Sequence, residues 1–363
     1  MNKEHPPLDI HRKLVELSDC GRPFALALIL KADGSTPQKA GVKAIIDGTG
    51  KIWGTLGGGV VEANAQRHAR EACQSGHPIV FDLHLADAYA KDAGPICGGF
   101  MRILIAPTAS EYRQCYEQAA DALKQRRQGV LLTRVRNGQP VKVTTQWFAK
   151  EAVPWDIGFP GAEAVCSCLD NETPRLFVEN SEMPGGSTEV LVEPVIPKPL
   201  LLIVGGGHVG QALSLQAILN GFDVMVMDDR PEFTNPVLFA DDVRTRCGDI
   251  PKEVAGFPID KDTYVVLVTR GHKQDAEALE ACIHAPAAYV GMIGSRRKVA
   301  MIRKHFIESG LATEEAFNRV FAPIGLDIGA VTVPEIATSI MAQMIAVRRK
   351  GPAYSPAGHM VPQ

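Results

Sequence analysis

The segment Leu201-Leu202-Ile203-Val204-Gly205-Gly206-Gly207-His208-Val209-Gly210 restricts the folding choices of this chain more than any other. An apolar run long enough for one buried strand ends in glycines spaced G-x-G-x-x-G (Gly205, Gly207 and Gly210), and a helical pattern follows. That order suits a strand, a tight turn and a helix. The first glycine makes the turn, the second lets backbone approach a phosphate, and the third lets the helix pack closely on the strand. Free N–H groups at the positive end of the helix dipole then face an anion. The helix is expected to stop at Asn220-Gly221. The next apolar run, residues 224–227, delivers Asp228 and Asp229 where a ribose-binding carboxylate belongs. Asp228, first after the strand, is the expected partner of sugar hydroxyls. His208 sits inside the turn and either meets the ligand or packs against a neighbour.

Strand-like and helical stretches alternate from there on: 263–269, 275–283, 288–292, then long helices over 297–309 and 335–349. This rhythm predicts a Rossmann-like, doubly wound parallel sheet over residues 200–350, covered on both faces. In such sheets the loops after strand C-termini line the ligand crevice. One of these loops is Arg270-Gly271-His272-Lys273-Gln274-Asp275, and another is Gly294-Ser295-Arg296-Arg297-Lys298. Gly294 allows close approach, while Ser295 and Arg296 can bind phosphate or carboxylate. Three cations at a helix start oppose the dipole unless an anion joins them, which favours a ligand role.

Residues 1–193 have a different texture. A helical pattern (Ile10, Leu14, Leu17) precedes an apolar strand over 24–30, a polar loop over 31–41 and a second strand over 42–46. A helix starts near Gly59, another covers 111–127, and short β-like stretches fill 128–196. This reads as an N-terminal α/β domain. Residues 194–199, with Pro194, Pro197 and Pro199, are expected to form an extended interdomain linker. Residues 351–363 read as a loose tail. Within the first domain, Gly54-Thr55-Leu56-Gly57-Gly58-Gly59 is a second glycine turn before a helix. Gly57, Gly58 and Gly59 expose backbone donors to an anion or a flat ligand, or simply form a tight packing turn. Glu62 falls in the first helical turn, where its charge complements the dipole. Cys97 is followed by Gly98-Gly99, so its thiol is the candidate for nucleophile, sulfur or molybdenum contact.

A net charge of -3 over 363 residues gives no general attraction to nucleic acid or an anionic membrane. No apolar run approaches the roughly 20 residues a membrane helix needs. The start, Met1-Asn2-Lys3-Glu4-His5-Pro6-Pro7, lacks a signal-peptide core, so a cytoplasmic protein is expected. Eight scattered cysteines without paired zinc spacing argue against a disulfide framework and against a structural metal.

Taken together, these segments resemble the XdhC/CoxI family of xanthine dehydrogenase accessory factors. The resemblance rests on Gly34-Ser35-Thr36-Pro37, the Gly54 to Gly59 turn with Glu62, and Cys97-Gly98-Gly99. In the second half it rests on Gly205-Gly206-Gly207-His208-Val209, Asp228-Asp229-Arg230, Tyr289-Val290-Gly291-Met292-Ile293-Gly294-Ser295-Arg296-Arg297-Lys298 and Pro323-Ile324-Gly325-Leu326-Asp327-Ile328-Gly329-Ala330. It implies binding of molybdenum cofactor (molybdopterin), support of its sulfuration with a cysteine desulfurase, and delivery to a molybdenum hydroxylase such as xanthine dehydrogenase. It also implies a homodimer, with Cys97 and the turn Gly57, Gly58 and Gly59 as candidates for holding the cofactor. The chain departs from some relatives in having Ile96 before Cys97 and Thr269-Arg270 in place of Thr-His. The Rossmann-like half taken alone also fits an NAD(P)-dependent oxidoreductase, with His208, His272 or Lys298 as proton donor, or a nucleotide-sensing regulator without catalysis.

Overall fold

A computed structural model of the chain describes residues 9–85, 98–180 and 186–351. The chain divides into two compact units, Met1–Pro197 and Lys198–Gln363.

In the first unit α1 (Ile10–Asp19) leads into β1 (Phe24–Asp33), β2 (Lys43–Asp47), β3 (Ile52–Gly54), α2 (Gly59–Ser75), β4 (Ile79–His84) and β5 (Phe100–Ala106). These strands form an antiparallel sheet in the order β3-β2-β1-β5-β4. β1 is apolar without alternation because both faces of the sheet are covered. Ala25, Ala27 and Ile29 pack under α2 with Val61, Ala65 and Ala69. Leu26, Leu28 and Leu30 point the other way, toward Leu14 of α1, Leu131 and Leu191. A second antiparallel sheet supplies that other side. After α3 (Arg113–Lys124) come β6 (Gly129–Arg136), β7 (Lys142–Ala149), α4 (Ala162–Asp170), β8 (Arg175–Asn180) and β9 (Ser187–Val195), paired in the order β7-β6-β9-β8.

β9 carries two buried acids toward the first sheet, and each has a cation from that sheet. Glu193 pairs with Lys43 of β2, and Glu189 accepts from Arg102 of β5 at 3.0 Å. The proline-rich segment starts later than its composition suggests, because β9 continues through Val195, with Pro194 opposite Val130 of β6. Proline is tolerated there because β8 has already ended, its last partner on β9 being Val192, so the missing N–H faces no neighbour.

In the second unit six parallel strands take the order β12-β11-β10-β13-β14-β15. Their course is β10 (Leu200–Val204), α5 (His208–Leu219), β11 (Asp223–Asp228), β12 (Val243–Cys247), α6 (Ile250–Ala255), β13 (Thr263–Leu267), α7 (His272–Cys282), β14 (Tyr289–Met292), α8 (Arg296–Glu308), α9 (Glu314–Asn318), β15 (Val320–Phe321) and α10 (Val333–Lys350). This is the order of a Rossmann sheet, and it reverses between β10 and β13. One face packs on α5 and α10 through Leu213, Ala217, Ile340 and Met344. The other packs on α6 to α9 through Val254, Leu279, Ile302 and Phe317. β12 escapes the sequence pattern because it is an edge strand with only Val243 buried, and β15 because it is two residues long.

Candidate functional site

At the point of reversal the loop after β10 is shaped by its glycines. Gly205 takes φ +119, donates its N–H to the Met227 carbonyl at 2.7 Å, and leaves no room for a Cβ beside the Val268 carbonyl. Gly210 lies so close to the Gly205 carbonyl that a Cβ would overlap it. Gly206 is equally confined by the Phe233 carbonyl. Gly207 differs: it caps α5 without any side-chain cap, and a Cβ there would meet nothing within 4 Å. The first-turn amides of α5 therefore open beside free space, a geometry suited to an anion. His208, the first residue of the helix, is exposed.

Asp228 ends β11 at this edge, but only 2% of it is exposed and its carboxylate is fully engaged. Oδ2 accepts from the Gly206 amide at 2.8 Å and from Arg230 Nη2 at 3.0 Å. Oδ1 accepts from the Arg230 amide at 3.0 Å and from Arg230 Nε at 2.9 Å. Burial pushes this carboxyl up, yet Arg230 and the Gly206 amide outweigh it and hold it below the usual carboxylate range. With four donors on two oxygens, no acceptor remains for a sugar diol unless Arg230 leaves. The Arg230 guanidinium lies 3.8 Å from the centre of the Phe233 ring, which fixes it further.

The loops after β13 and β14 meet through a pair that no motif singled out. Asp275, fully buried in the first turn of α7, accepts from the Thr269 amide at 3.0 Å and the Thr269 hydroxyl at 2.6 Å, and it pairs with Lys298 of α8. Burial raises its pKa, against the pull of Lys298 and Thr269. Gly294 makes room for the Lys298 stem, whose Cδ would lie 3.0 Å from an added Cβ. The Ser295 hydroxyl caps α8 by accepting the Lys298 amide at 3.2 Å. Arg296 and Arg297 are exposed and make no ion pair among the described residues. Of His272 only the backbone is described.

In the first unit three loops converge at one end of the sheet. A Cβ on Gly57 would overlap the Pro37 ring, one on Gly99 would overlap the Ser35 carbonyl, and one on Gly34 would lie 3.2 Å from the Gly98 carbonyl. The Gly57 to Gly59 turn keeps few donors for a ligand. Glu62 reaches back to accept from the Thr55 hydroxyl at 2.7 Å and from the amides of Leu56 and Gly58 at 3.0 and 3.1 Å. Burial pushes the Glu62 carboxyl up, but these three donors hold it below its ordinary value. Glu62 is thus the cap of its own turn. Cys97, next in sequence to Gly98, lies outside the described residues. Among the described cysteines Cys282 is buried, its thiol pushed up to about 12 by burial.

Among the described residues no group of three or more His, Cys, Asp or Glu could hold a metal ion, and no helix is long and apolar enough to cross a membrane.

The fold and this edge define a class: a two-unit α/β protein whose second unit is a Rossmann domain with an open, uncapped glycine turn. The chain belongs to the XdhC/CoxI family, with residues 17–84 matching the XdhC and CoxI family and residues 201–344 the XdhC Rossmann domain. It is 26% identical over 361 residues to the uncharacterized protein YqeB of Escherichia coli strain K12, covering 98% of this chain and 50% of that protein. The chain therefore spans half the length of that relative. It is 25% identical to a probable xanthine dehydrogenase subunit of Bacillus subtilis strain 168, covering 94% of this chain and 98% of that one. It is 23% identical to the molybdenum cofactor insertion chaperone PaoD of Escherichia coli strain K12, covering 94% and 89% respectively. A crystal structure of a xanthine dehydrogenase from Bacillus halodurans shares the fold, with a TM-score of 0.70 and 23% identity over 94% of this chain and 98% of that one.

Proposed function

We propose that this protein is an accessory factor that binds molybdenum cofactor as its cargo and assists its sulfuration and insertion into a molybdenum hydroxylase of the xanthine dehydrogenase type. The observation that carries the reading is the pairing of an open anion cradle with a closed ribose acceptor. Gly207 presents uncapped amides to free space, while Asp228 is consumed by Arg230 and Gly206. A phosphorylated pterin needs the first and not the second. The exposed Arg296 and the Ser295 loop supply further contacts for its phosphate on the β14 side. The names of the Bacillus subtilis and PaoD relatives point the same way. In this reading the protein is a cytoplasmic homodimeric carrier rather than a stand-alone catalyst. A cysteine desulfurase supplies the sulfur, and Cys97, next in sequence to Gly98, is the candidate thiol for handling it.

The cargo would supply the molybdenum chemistry to the client enzyme; this chain's residues bind it and orient it. The alternative, an NAD(P)-dependent oxidoreductase, needs an acceptor for the ribose hydroxyls, and the Arg230 clamp on Asp228 weighs against it. Mass spectrometry of small molecules released from freshly purified protein tests the proposal. Molybdopterin or its oxidised fluorescent derivative is the expected release. A nicotinamide dinucleotide alone, with substrate-dependent reduction, would establish the oxidoreductase instead, and a nucleotide without turnover would establish a sensing regulator.

A further inference from the structure

Asp275 and Lys298 form a buried ion pair at the same edge as the glycine turn. Lys298 Nζ donates to Asp275 Oδ2 and, at 3.2 Å, to the Ile293 carbonyl. An ammonium has three N–H groups, so one remains. The Lys298 side chain is 21% exposed while that of Asp275 is 0% exposed, so the spare donor belongs to the partner that reaches solvent. The pair also abuts the turn itself: a Cβ on Gly205 would lie 3.0 Å from the Thr269 amide nitrogen, and that amide donates to Asp275. In open α/β sheets ligands bind at this reversal of strand order.

A tie between the β13 and β14 loops leaves the third N–H of Lys298 without a partner among the described residues. Burying two opposite charges yields little net stability over apolar side chains of the same size. A fixed cation is useful where charge has to be met. From this placement we infer that Lys298 is the crevice's fixed cation for a tetrahedral oxyanion of the ligand on the β13–β14 side, with Asp275 as its positioning residue. The inference rests on the reading of this crevice as an anion site and names the residue that meets the anion there. Arg296 and Arg297 are exposed with no ion pair among the described residues, whereas Lys298 is held by Asp275 and the Ile293 carbonyl.

Inorganic pyrophosphate titrated calorimetrically into the full chain at low ionic strength tests this. Lys298→Met is expected to weaken binding roughly tenfold or more, the worth of one charge-assisted contact, and Lys298→Arg to weaken it less. Asp275→Asn gives the sharper result. Removing a negative charge from beneath an anion tightens binding by Coulomb's law alone; if Asp275 positions Lys298, binding weakens instead. Tighter binding by Asp275→Asn overturns the inference. So does unchanged binding by Lys298→Met while Gly207→Val abolishes it, an outcome that leaves the anion site itself standing. Failure of the unaltered protein to bind pyrophosphate at all overturns both. Should Lys298→Met fail to fold, acylation of lysines followed by mass spectrometry decides on the unaltered protein. Pyrophosphate is expected to lower the labelling of Lys298 several-fold while leaving that of Lys304 unchanged, and labelling of Lys298 that pyrophosphate does not alter overturns the inference.

Discussion

Arg230 grips Asp228 by both carboxylate oxygens, Nε to Oδ1 at 2.9 Å and Nη2 to Oδ2 at 3.0 Å. This clamp closes the acceptor that the same position offers to ribose in dinucleotide-binding domains.

Arg230→Met should therefore change specificity and stability together. With Arg230 gone, Asp228 keeps only the two amides, and ADP-ribose binding is expected to strengthen by isothermal calorimetry. Losing the charged partner of an almost fully buried carboxylate should destabilise the second unit by about 1–3 kcal/mol in urea unfolding. The pH dependence follows from the depressed pKa of Asp228. Its contribution is present above the unfolded-state value near about 4 and is lost as pH falls through the folded-state value. The variant should lose most of that acid-side slope. Unaltered ADP-ribose binding would remove the clamp as a determinant of specificity.

Gly207 and Gly210 should separate binding from folding. Gly210→Ala places a methyl against the Gly205 carbonyl and should lower stability by about 1–3 kcal/mol, the usual penalty of overpacking. Gly207→Ala has open space and φ -68, which alanine adopts readily, so thermal melting should barely move. Any effect of Gly207→Ala should fall on the amount of cargo that copurifies. Equal melting temperatures for the two variants would contradict the assignment.

Glu62→Gln tests whether the first-unit turn is held by its own cap. The amide keeps one acceptor oxygen but loses the charge that three donors share, for an expected loss of about 1 kcal/mol at pH 7. Since the folded pKa lies below the ordinary 4.5, that stability is present above 4.5 and disappears as pH falls below it. Melting curves of the two proteins should therefore converge as pH falls through the lowered folded-state value of Glu62.

Lys43→Met leaves Glu193 buried without its cation, since the side chains of the pair are only 7% and 4% exposed. A loss of about 3–5 kcal/mol is expected, confined to the first unit. The double variant Lys43→Met, Glu193→Gln should recover much of it, because the uncompensated charge is then gone. Failure of the second substitution to restore any stability would show that packing, not charge, decides this contact.

Much of the fold was legible because its signals are local. The continuous apolar run of β1 and the strand–turn–helix at β10 and α5 follow from side-chain type and spacing alone, as does the alternation that announces a parallel sheet. The edge strand β12 and the two-residue β15 carry no such signal, since few of their side chains are buried and the neighbouring strand supplies their order. Within the site, the requirement for glycine at 205 and 210 could be anticipated from the motif, but its causes are contacts with Val268 and with Gly205. The expectation that Gly57, Gly58 and Glu62 bind a ligand sits beside the internal contacts of Glu62 Oε1 with Thr55, Leu56 and Gly58, because the spacing does not reveal that Glu62 folds back on its own turn.

The amino-acid order alone determined most of the buried strands and longer helices, and that a glycine turn and a helix start follow β10. These depend on backbone preferences and on periods of two and 3.6 residues, which are written along the chain. Only the tertiary structure decided which charges meet. Asp275 and Lys298 stand on different helices, and Lys43 and Glu193 on different sheets. Strand order and side-chain direction bring them together, and a one-residue change of register would turn either strand partner to the opposite face. That is why the glycine turn at Gly207 could be foreseen, while the closed acceptor at Asp228 and the pairing of Lys298 with Asp275 had to be seen.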